Sequence, residues 1–559
     1  MMKKALIIGG VAGGATAAAR LRRLDEKMEI TLLEKGEEIS IANCGLPYYI
    51  GEEIPHRSSL LLQTPESFRR RYNVDVRISS EAKSIDRSAK TVIVENCKSG
   101  KTYKEPYDML LLSPGASPIR PQFEGASLNG VFSVSCIADA DRVKLYMSKR
   151  KPKSAAIIGG GAIGIEMAEN LRRLGLSVLI IEQGSQILPS LDFEMALEAA
   201  NRIMQRGVKI SLSNGVRKIQ MEGGSFKISL EEGHASAEMV VLATGVRPNS
   251  ALAKDAGLEL DENGGIAVSP NMRTSDECIY AVGDAASVAN FVTEEKSLNA
   301  LAGAANKQAR IAADNMAGIL STYRGAQGTM VLKAFDATVA MTGISEKTAT
   351  KLGLSFDKAY LWLAQHASYY PGAQPMSIKA VFEKSTGKLF GAQIVGGNGV
   401  DKRMDVLATA IRSKMCASEL AELELCYAPP YGNAKDPVNM IGFAIENQIT
   451  GKVKTFHWHD AAQLPRDGSA TFVDVRMPQE YASGHIEGFA NIPLDMLRAR
   501  IGEIPKSKPV YVNCQIGQRS YLACRILAQN GYDAYSLSGG FRLYSTIFGK
   551  GSRQTADRR

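Results

Sequence analysis

Two stretches of the chain repeat one hydrophobic pattern. Lys4-Ala-Leu-Ile-Ile runs into Gly9-Gly10-Val11-Ala12-Gly13-Gly14, and Ala155-Ala-Ile-Ile runs into Gly159-Gly-Gly161-Ala-Ile-Gly164. Each apolar run predicts a short buried strand, the glycines a tight turn, and the residues after them a helix. A second strand ending in an acid follows each: Ile30-Thr-Leu-Leu-Glu34 and Val178-Leu-Ile-Ile-Glu182. These are two βαβ units about 150 residues apart, so two dinucleotide sites are expected.

From Met330 to Glu446 the texture changes. Strand-like runs (Ala337-Thr-Val-Ala-Met-Thr, Ser377-Ile-Lys-Ala-Val-Phe and Leu389-Phe-Gly-Ala-Gln-Ile-Val) and a helix over Lys402 to Lys414 predict a separate α+β domain. Thr450 to Asp460 is short and polar, as a linker would be. Strands at Thr471-Phe-Val-Asp-Val and Val510-Tyr-Val-Asn then predict a small α/β domain ending near Gly549. The polar, basic tail Lys550 to Arg559 reads as disordered.

The 559 residues imply several domains, and 45% hydrophobic with 22% charged residues is ordinary for a globular protein. The net charge of +9 comes without a long Lys/Arg block, which points to a local site for an anionic ligand. No stacking-plus-basic module argues for nucleic acid. The eight cysteines form no C-x-x-C pair, which disfavours zinc and other metal sites and thioredoxin-type motifs. No apolar run is long enough to span a membrane, and the apolar N-terminal stretch breaks at its glycines rather than forming a signal peptide. A cytoplasmic protein with reduced thiols is expected.

The second glycine turn carries the full fingerprint Gly159-x-Gly161-x-x-Gly164. The first glycine allows the turn, the second lets a pyrophosphate approach the backbone, and the third packs helix on strand. Glu182 is placed to accept from a ribose 2′-OH and to repel a 2′-phosphate, which favours NADH over NADPH. In the first turn Val11 replaces the middle glycine, while Gly9 and Gly14 remain. A third piece, Ile279-Tyr-Ala-Val-Gly283-Asp284, ends an apolar strand in a carboxylate suited to a polyol.

Two cysteines stand in reactive settings. Cys44 lies in Asn43-Cys44-Gly-Leu-Pro-Tyr-Tyr49 and has no cysteine close to it in sequence. Cys514 follows a strand and opens Cys514-Gln-Ile-Gly-Gln-Arg519-Ser520. There, turn N–H groups, a helix N-terminus and Arg519 favour a thiolate and a bound anion. Four residues separate Cys514 from Arg519, one fewer than a cysteine phosphatase needs to wrap a phosphate. Cys524, on the helix that follows, reads as structural.

Both glycine turns, Ala243-Thr-Gly-Val-Arg-Pro-Asn249 and Ala281-Val-Gly-Asp284 together resemble the FAD-dependent pyridine nucleotide-disulfide oxidoreductases over about residues 1 to 446. Val473-Asp-Val-Arg476, Glu480, Gly484-His-Ile-Glu-Gly488, the Cys514 loop and Leu537-Ser-Gly-Gly540 resemble rhodanese sulfurtransferases over about 463 to 549. The whole chain is similar to coenzyme A-disulfide reductase–rhodanese fusions, also described as NADH-dependent persulfide reductases.

The resemblance implies an α/β protein with two Rossmann-like domains, an α+β dimerisation domain and a C-terminal rhodanese domain. The implied boundaries are 1–150 and 271–328 for FAD, 151–270 for NAD(P)H, 329–446 for dimerisation, 447–462 for a linker, 463–549 for rhodanese and 550–559 for the tail. Gly9, Gly14, Glu34 and Asp284 are implied in FAD binding, with Glu34 at the ribose and Asp284 at the ribityl chain. Gly159, Gly161, Gly164 and Glu182 are implied for the nicotinamide nucleotide.

The lone Cys44 resembles the single-cysteine branch, which includes coenzyme A-disulfide reductases, NADH oxidases and NADH peroxidases. In the first of these a mixed disulfide between Cys44 and coenzyme A is implied, with Asn43, Arg22 and Arg71 holding coenzyme A. Tyr369 and Tyr427 are implied proton donors to the leaving thiolate, from the other subunit of a homodimer, with Tyr370 and Tyr431 as rivals. No histidine stands in Leu425 to Asp436 to take that role. Cys514 is implied to carry sulfane sulfur, assisted by Arg519. The alternatives are an NADH oxidase or peroxidase with a Cys44 sulfenate, a plain coenzyme A-disulfide reductase with a regulatory rhodanese unit, and a sulfur-relay protein with a flavin redox switch.

Overall fold

The computed structural model describes residues 3–549, so the tail expectation lies outside the described residues. The chain forms two compact units. One comprises the residues up to Gln183 together with Gly207–Gly328; the other comprises Gly184–Arg206 together with the residues from Thr329 on.

The first unit holds two five-stranded parallel sheets of like plan. In one, Lys4–Ile8 is central, with Glu29–Leu33 and Asp75–Arg77 on one side and Met109–Leu112 and Ile279–Ala281 on the other. In the other, Ser154–Ile158 is central, with Ser177–Ile181 and Lys209–Ser211 on one side and Met239–Leu242 and Val131–Ser133 on the other. The central strands are apolar because both faces are covered; Leu6, Ile7, Ala156 and Ile157 are all fully buried. Val131–Ser133, which precedes residue 150, pairs into the second sheet. The helix Phe193–Gln205, within 151–270, falls in the second unit.

The second unit contains an antiparallel sheet in the order Met330–Ala334, Ala337–Gly343, Leu389–Gly396, Pro375–Glu383, Phe356–Ala364. Lys379, at the centre of a strand, is fully buried. Its ammonium meets Asp192, Glu194 and Glu346, so three carboxylates that could otherwise hold a cation already have a counter-ion. A second sheet, all parallel, runs Lys454–Phe456, Ala534–Leu537, Val510–Asn513, Thr471–Asp474, Ala490–Asn491. The polar segment expected as a linker is therefore structured. The helix Pro437–Ile449 runs into it, Lys454–Phe456 is an edge strand, and Trp458–Gln463 is helical. A strand of three residues is too short to show alternation in sequence.

Candidate functional site

The two glycine turns show why glycine is needed. Gly9 (φ +97°) and Gly159 (φ +112°) are left-handed, and a Cβ on either would sit 2.1 or 2.2 Å from a backbone carbonyl oxygen, of Ser113 and Ala243 respectively. At Gly14 and Gly164 a Cβ would lie 1.8 and 2.1 Å from the oxygens of Gly9 and Gly159, which forces helix and turn into close contact. A Cβ at Gly161 would meet nothing within 4 Å, which leaves the room a pyrophosphate needs. In the first turn Val11 sits at the head of the helix with ordinary φ (−98°). Gly13 has a packing role of its own: a Cβ there would lie 2.5 Å from Ser113 Oγ and 2.9 Å from Val282 Cγ2. The sequence pattern did not single out Gly13.

The terminal acids act alike in both units. Glu34 accepts from the N–H of Gly10 and of Gly36 at 2.7 Å each, and Glu182 accepts from the N–H of Gly160 at 2.7 Å. Asp284 lies in the turn Gly283–Ala285 at the end of Ile279–Ala281. Burial pushes its carboxyl up from the usual range, and no cation offsets this. Beside it, Gln308 is fully buried; its Oε1 accepts from Gly283 N–H, while its Nε2 has no partner among the described residues. A desolvated carboxyl and an orphaned buried amide are the donor and acceptor set that a bound polyol satisfies, so these residues fit FAD.

Cys44 sits on the single turn Asn43–Gly45 that opens the short helix Leu46–Ile50, and both Asn43 and Cys44 are exposed. Although the residue reaches solvent, the packing around it desolvates the thiol. Burial first, then the Glu166 carboxylate, push its pKa up, against the pull of its own backbone N–H. Glu166 is itself pushed up by burial, and Tyr48 donates to its Oε1 at 3.3 Å. No lysine or arginine offsets these carboxylates at the thiol.

The arginine expectations divide. Arg71 is exposed at the end of the helix Pro65–Tyr72. Arg22 is only 6% exposed. All five of its N–H donors go to backbone carbonyls: Nε to Tyr72, Nη1 to Asp25 and Glu26, Nη2 to Met28 and Asn73. A guanidinium has five N–H groups, so none is left for a phosphate. Arg22 is corrected from ligand contact to a clamp that closes the end of its helix. Arg23, the next residue, is exposed.

In the antiparallel-sheet domain the structure brings Tyr369 and Tyr427 together, Oη to Oη at 3.2 Å, both exposed. The hydrogen bond it shares with Tyr427 pushes the Tyr369 phenol up. Two loops present them, and a buried pair ties these loops. Arg403 donates to Asp436 at 2.7 Å and, from Nη2, to the Gln365 carbonyl at 2.7 Å. Ala367 N–H donates to Gly432 O at 3.0 Å, and Asn433 Nδ2 to Ala364 O at 2.8 Å. Tyr370 and Tyr431 are also exposed.

Cys514 follows the strand Val510–Asn513 and is fully buried. Gly517 (φ +101°) turns its N–H toward Sγ at 3.1 Å, and the thiol reaches Ser520 Oγ at 3.4 Å. Ser536 donates to that same hydroxyl at 2.8 Å. The helix Gln518–Gln529 starts here and adds its positive end. Arg519 does not stand alone as an anion ligand: Nη1 and Nη2 each donate to Glu480 at 2.6 Å, a fork that holds the Glu480 carboxyl down to about 2. Cys524 is buried, and burial pushes its thiol far above the ordinary range.

Two Rossmann-type units with an exposed cysteine that has no cysteine near it in sequence, and a buried cysteine in a glycine turn near the C-terminal end of the described residues, define a nucleotide-dependent redox protein with a sulfurtransferase-type module. Family models for pyridine nucleotide-disulphide oxidoreductase, for its dimerisation domain and for the rhodanese-like domain match residues 3–309, 331–437 and 457–546. The chain belongs to the pyridine nucleotide-disulphide oxidoreductase family and carries a rhodanese-like domain. It is similar to the structure of reduced Bacillus anthracis CoADR-RHD, with 45% identity, TM-score 0.96 and 98% of each chain covered. It is also similar to an NAD-dependent persulfide reductase from A. fulgidus, with 36% identity, TM-score 0.89, and 97% of this chain and 100% of the other covered. A coenzyme A disulfide reductase of Staphylococcus epidermidis is 33% identical over 79% of this chain and 99% of its own length. An NADH oxidase of Methanocaldococcus jannaschii is 35% identical over 78% and 97%.

Proposed function

We propose that the protein is a FAD-dependent reductase that uses NAD(P)H, with NADH favoured, to reduce coenzyme A persulfide, polysulfide or coenzyme A disulfide. It works as a homodimer in the cytoplasm, and Cys514 carries sulfane sulfur. FAD, when bound, supplies the two-electron relay between nicotinamide and sulfur. Gly9, Gly13, Gly14, Glu34 and Asp284 hold it; Gly159, Gly161, Gly164 and Glu182 hold the nicotinamide nucleotide. Among the described residues no helix is long and apolar enough to cross a membrane.

The observation that carries the reading is one chain with two unlike thiols. Cys44 is exposed and has no neighbouring cysteine to pair with, so its disulfide partner must be a thiol that comes to it. Its thiolate attacks the coenzyme A sulfur of a persulfide, forms the Cys44–coenzyme A disulfide and releases hydrosulfide. Two electrons and a proton then return the Cys44 thiolate and the coenzyme A thiol. Asn43, Arg71 and the exposed Arg23 receive coenzyme A, and the Tyr369–Tyr427 pair gives the leaving thiolate its proton. Cys514 receives sulfane sulfur under the Gly517 N–H, with Arg519 contributing charge through its pair with Glu480. The oxidase alternative is less well supported. The NADH oxidase relative matches only 78% of this chain, whereas the CoADR-RHD and persulfide reductase structures match 98% and 97% of it, the rhodanese-like module included.

The intact mass of the purified protein tests this directly. A coenzyme A adduct on Cys44, released by NADH, is the expected result; an added oxygen on Cys44 would favour the oxidase reading.

A further inference from the structure

The flank of the Cys514 loop rests on a residue of the antiparallel-sheet domain. Two turns frame the cysteine: Gln515 to Gly517 after it, and Gly539-Gly540 beside it. Phe541 N–H donates to Cys514 O at 2.7 Å and Arg542 N–H to Gln515 O at 2.9 Å, so the second turn holds the backbone of the first. Gly539 is left-handed (φ +83°), and a Cβ there would lie 3.1 Å from Trp362 Cζ3. Ile516 packs against the apolar cluster Leu197, Tyr360, Trp362, Leu543 and Ile547. A Cβ on Gly517 would come 3.7 Å from Gly539 N, so the two turns touch at the residue whose N–H reaches Sγ.

Trp362 is 5% exposed, and its Nε1 has no hydrogen-bond partner among the described residues. A buried indole without an acceptor takes its place from packing rather than from a hydrogen bond. Arg542 lies over its ring, 5.7 Å from the centroid, and reaches toward Glu198 at 3.8 Å. The ring is thus wedged between its own sheet and the two turns.

We infer that Trp362 is a positioning residue of the sulfur-transfer site. Its ring sets Ile516 and Gly539 and, through them, the Gly517 N–H that faces Cys514 Sγ. This rests on the reading of Cys514 as the sulfur carrier. The sulfurtransferase module is then completed by the domain that presents Tyr369 and Tyr427, and its activity depends on that domain's surface.

The test uses the full-length holoprotein with thiosulfate and cyanide. Cys514 thiolate takes the outer sulfur of thiosulfate, forming a persulfide and releasing sulfite. Cyanide then removes that sulfur as thiocyanate and regenerates the thiolate. Trp362→Ala should lower thiocyanate formation about tenfold, because small displacements at a reacting centre are costly. Trp362→Phe, which keeps a ring, should restore most of it. Flavin reduction by NADH should stay near the wild-type rate in both. A second readout uses the fact that the chain has only two tryptophans. In Trp458→Phe the remaining emitter is Trp362, and its emission should change when thiosulfate loads Cys514 and return on adding cyanide. Wild-type thiocyanate formation in Trp362→Ala, or emission that ignores loading, overturns the inference. So does a loss in Trp362→Ala matched by an equal loss of flavin reduction, which is general unfolding. Thiocyanate formation that survives Cys514→Ser overturns instead the reading of Cys514 itself.

Discussion

Cys44 and Cys514 differ in almost every physical respect. Cys44 is exposed on one short turn, and what surrounds it (partial desolvation, Glu166, Asp284) favours the thiol over the thiolate. Cys514 is fully buried, yet what surrounds it is an N–H, a hydroxyl and the start of a twelve-residue helix. Access and stabilisation of negative charge are thus separated in this protein. An exposed thiol whose one donor is its own backbone N–H suits exchange with a bulky thiol that brings its own recognition groups. A buried thiol under an N–H suits a single sulfur atom, which needs little room and carries negative charge.

The largest test of this contrast is to remove each sulfur. Cys44→Ser should abolish NADH-dependent reduction of coenzyme A disulfide or persulfide and leave thiocyanate formation from thiosulfate intact. Cys514→Ser should do the reverse for thiocyanate formation, and steady-state assays of both activities on both variants decide it. If reduction of coenzyme A persulfide falls in Cys514→Ser as well, the two sites share an obligatory intermediate.

Next comes the scaffold that presents the tyrosines. Arg403 and Asp436 are 1% and 3% exposed, so replacing Arg403 by Met leaves a carboxylate buried without its partner. Breaking a buried pair in this way costs roughly 3–5 kcal/mol. Urea titration should show that loss. Tyr427→Phe, on the exposed surface, should leave stability unchanged and slow disulfide reduction about a hundredfold, the lower end of the scale for one general acid.

A smaller effect is expected at Gly517. Its φ of +101° is strained for any residue with a Cβ, and the N–H it aims is the thiolate donor at Cys514. Gly517→Ala should slow sulfur transfer several-fold, a strain of about 1–2 kcal/mol divided between fold and site. Reduction at Cys44 should be unaffected, and parallel assays of the two activities check it.

Much of this was legible in the sequence because it is local. The strand–glycine–helix–strand–acid order encodes both Rossmann units within about thirty residues each, and four residues between Cys514 and Arg519 define the loop. What escaped depends on three dimensions. Arg22 and Arg23 are equivalent in composition, and only the helix register decides that one meets five carbonyls while the other faces solvent. Gly13 did not stand out in the first turn because the side chains that leave no room for a Cβ there, Ser113 and Val282, are far away in sequence. Arg519 read as a free cation because Glu480 lies 39 positions upstream. The edge strand Lys454–Phe456 has too few residues to display a period, and it exists because Ala534–Leu537 offers it a free edge.

The finest test concerns the carboxylate at Cys44. The Cys44 thiol is raised first by burial and second by Glu166, so at neutral pH its thiolate fraction lies below that of an ordinary cysteine. Replacing Glu166 by Gln removes the second cause and leaves the first. The titration of Cys44 should therefore move toward lower pH but remain above the ordinary thiol value. Tyr48, now beside a neutral amide, should move down as well, because the same carboxylate raises it. Iodoacetamide alkylation of reduced Cys44, followed by mass spectrometry between pH 6 and 10, should show a faster rate near neutrality than in the unchanged protein. An unchanged Cys44 profile would mean that Glu166 does not set its reactivity, which then rests on desolvation and Asp284.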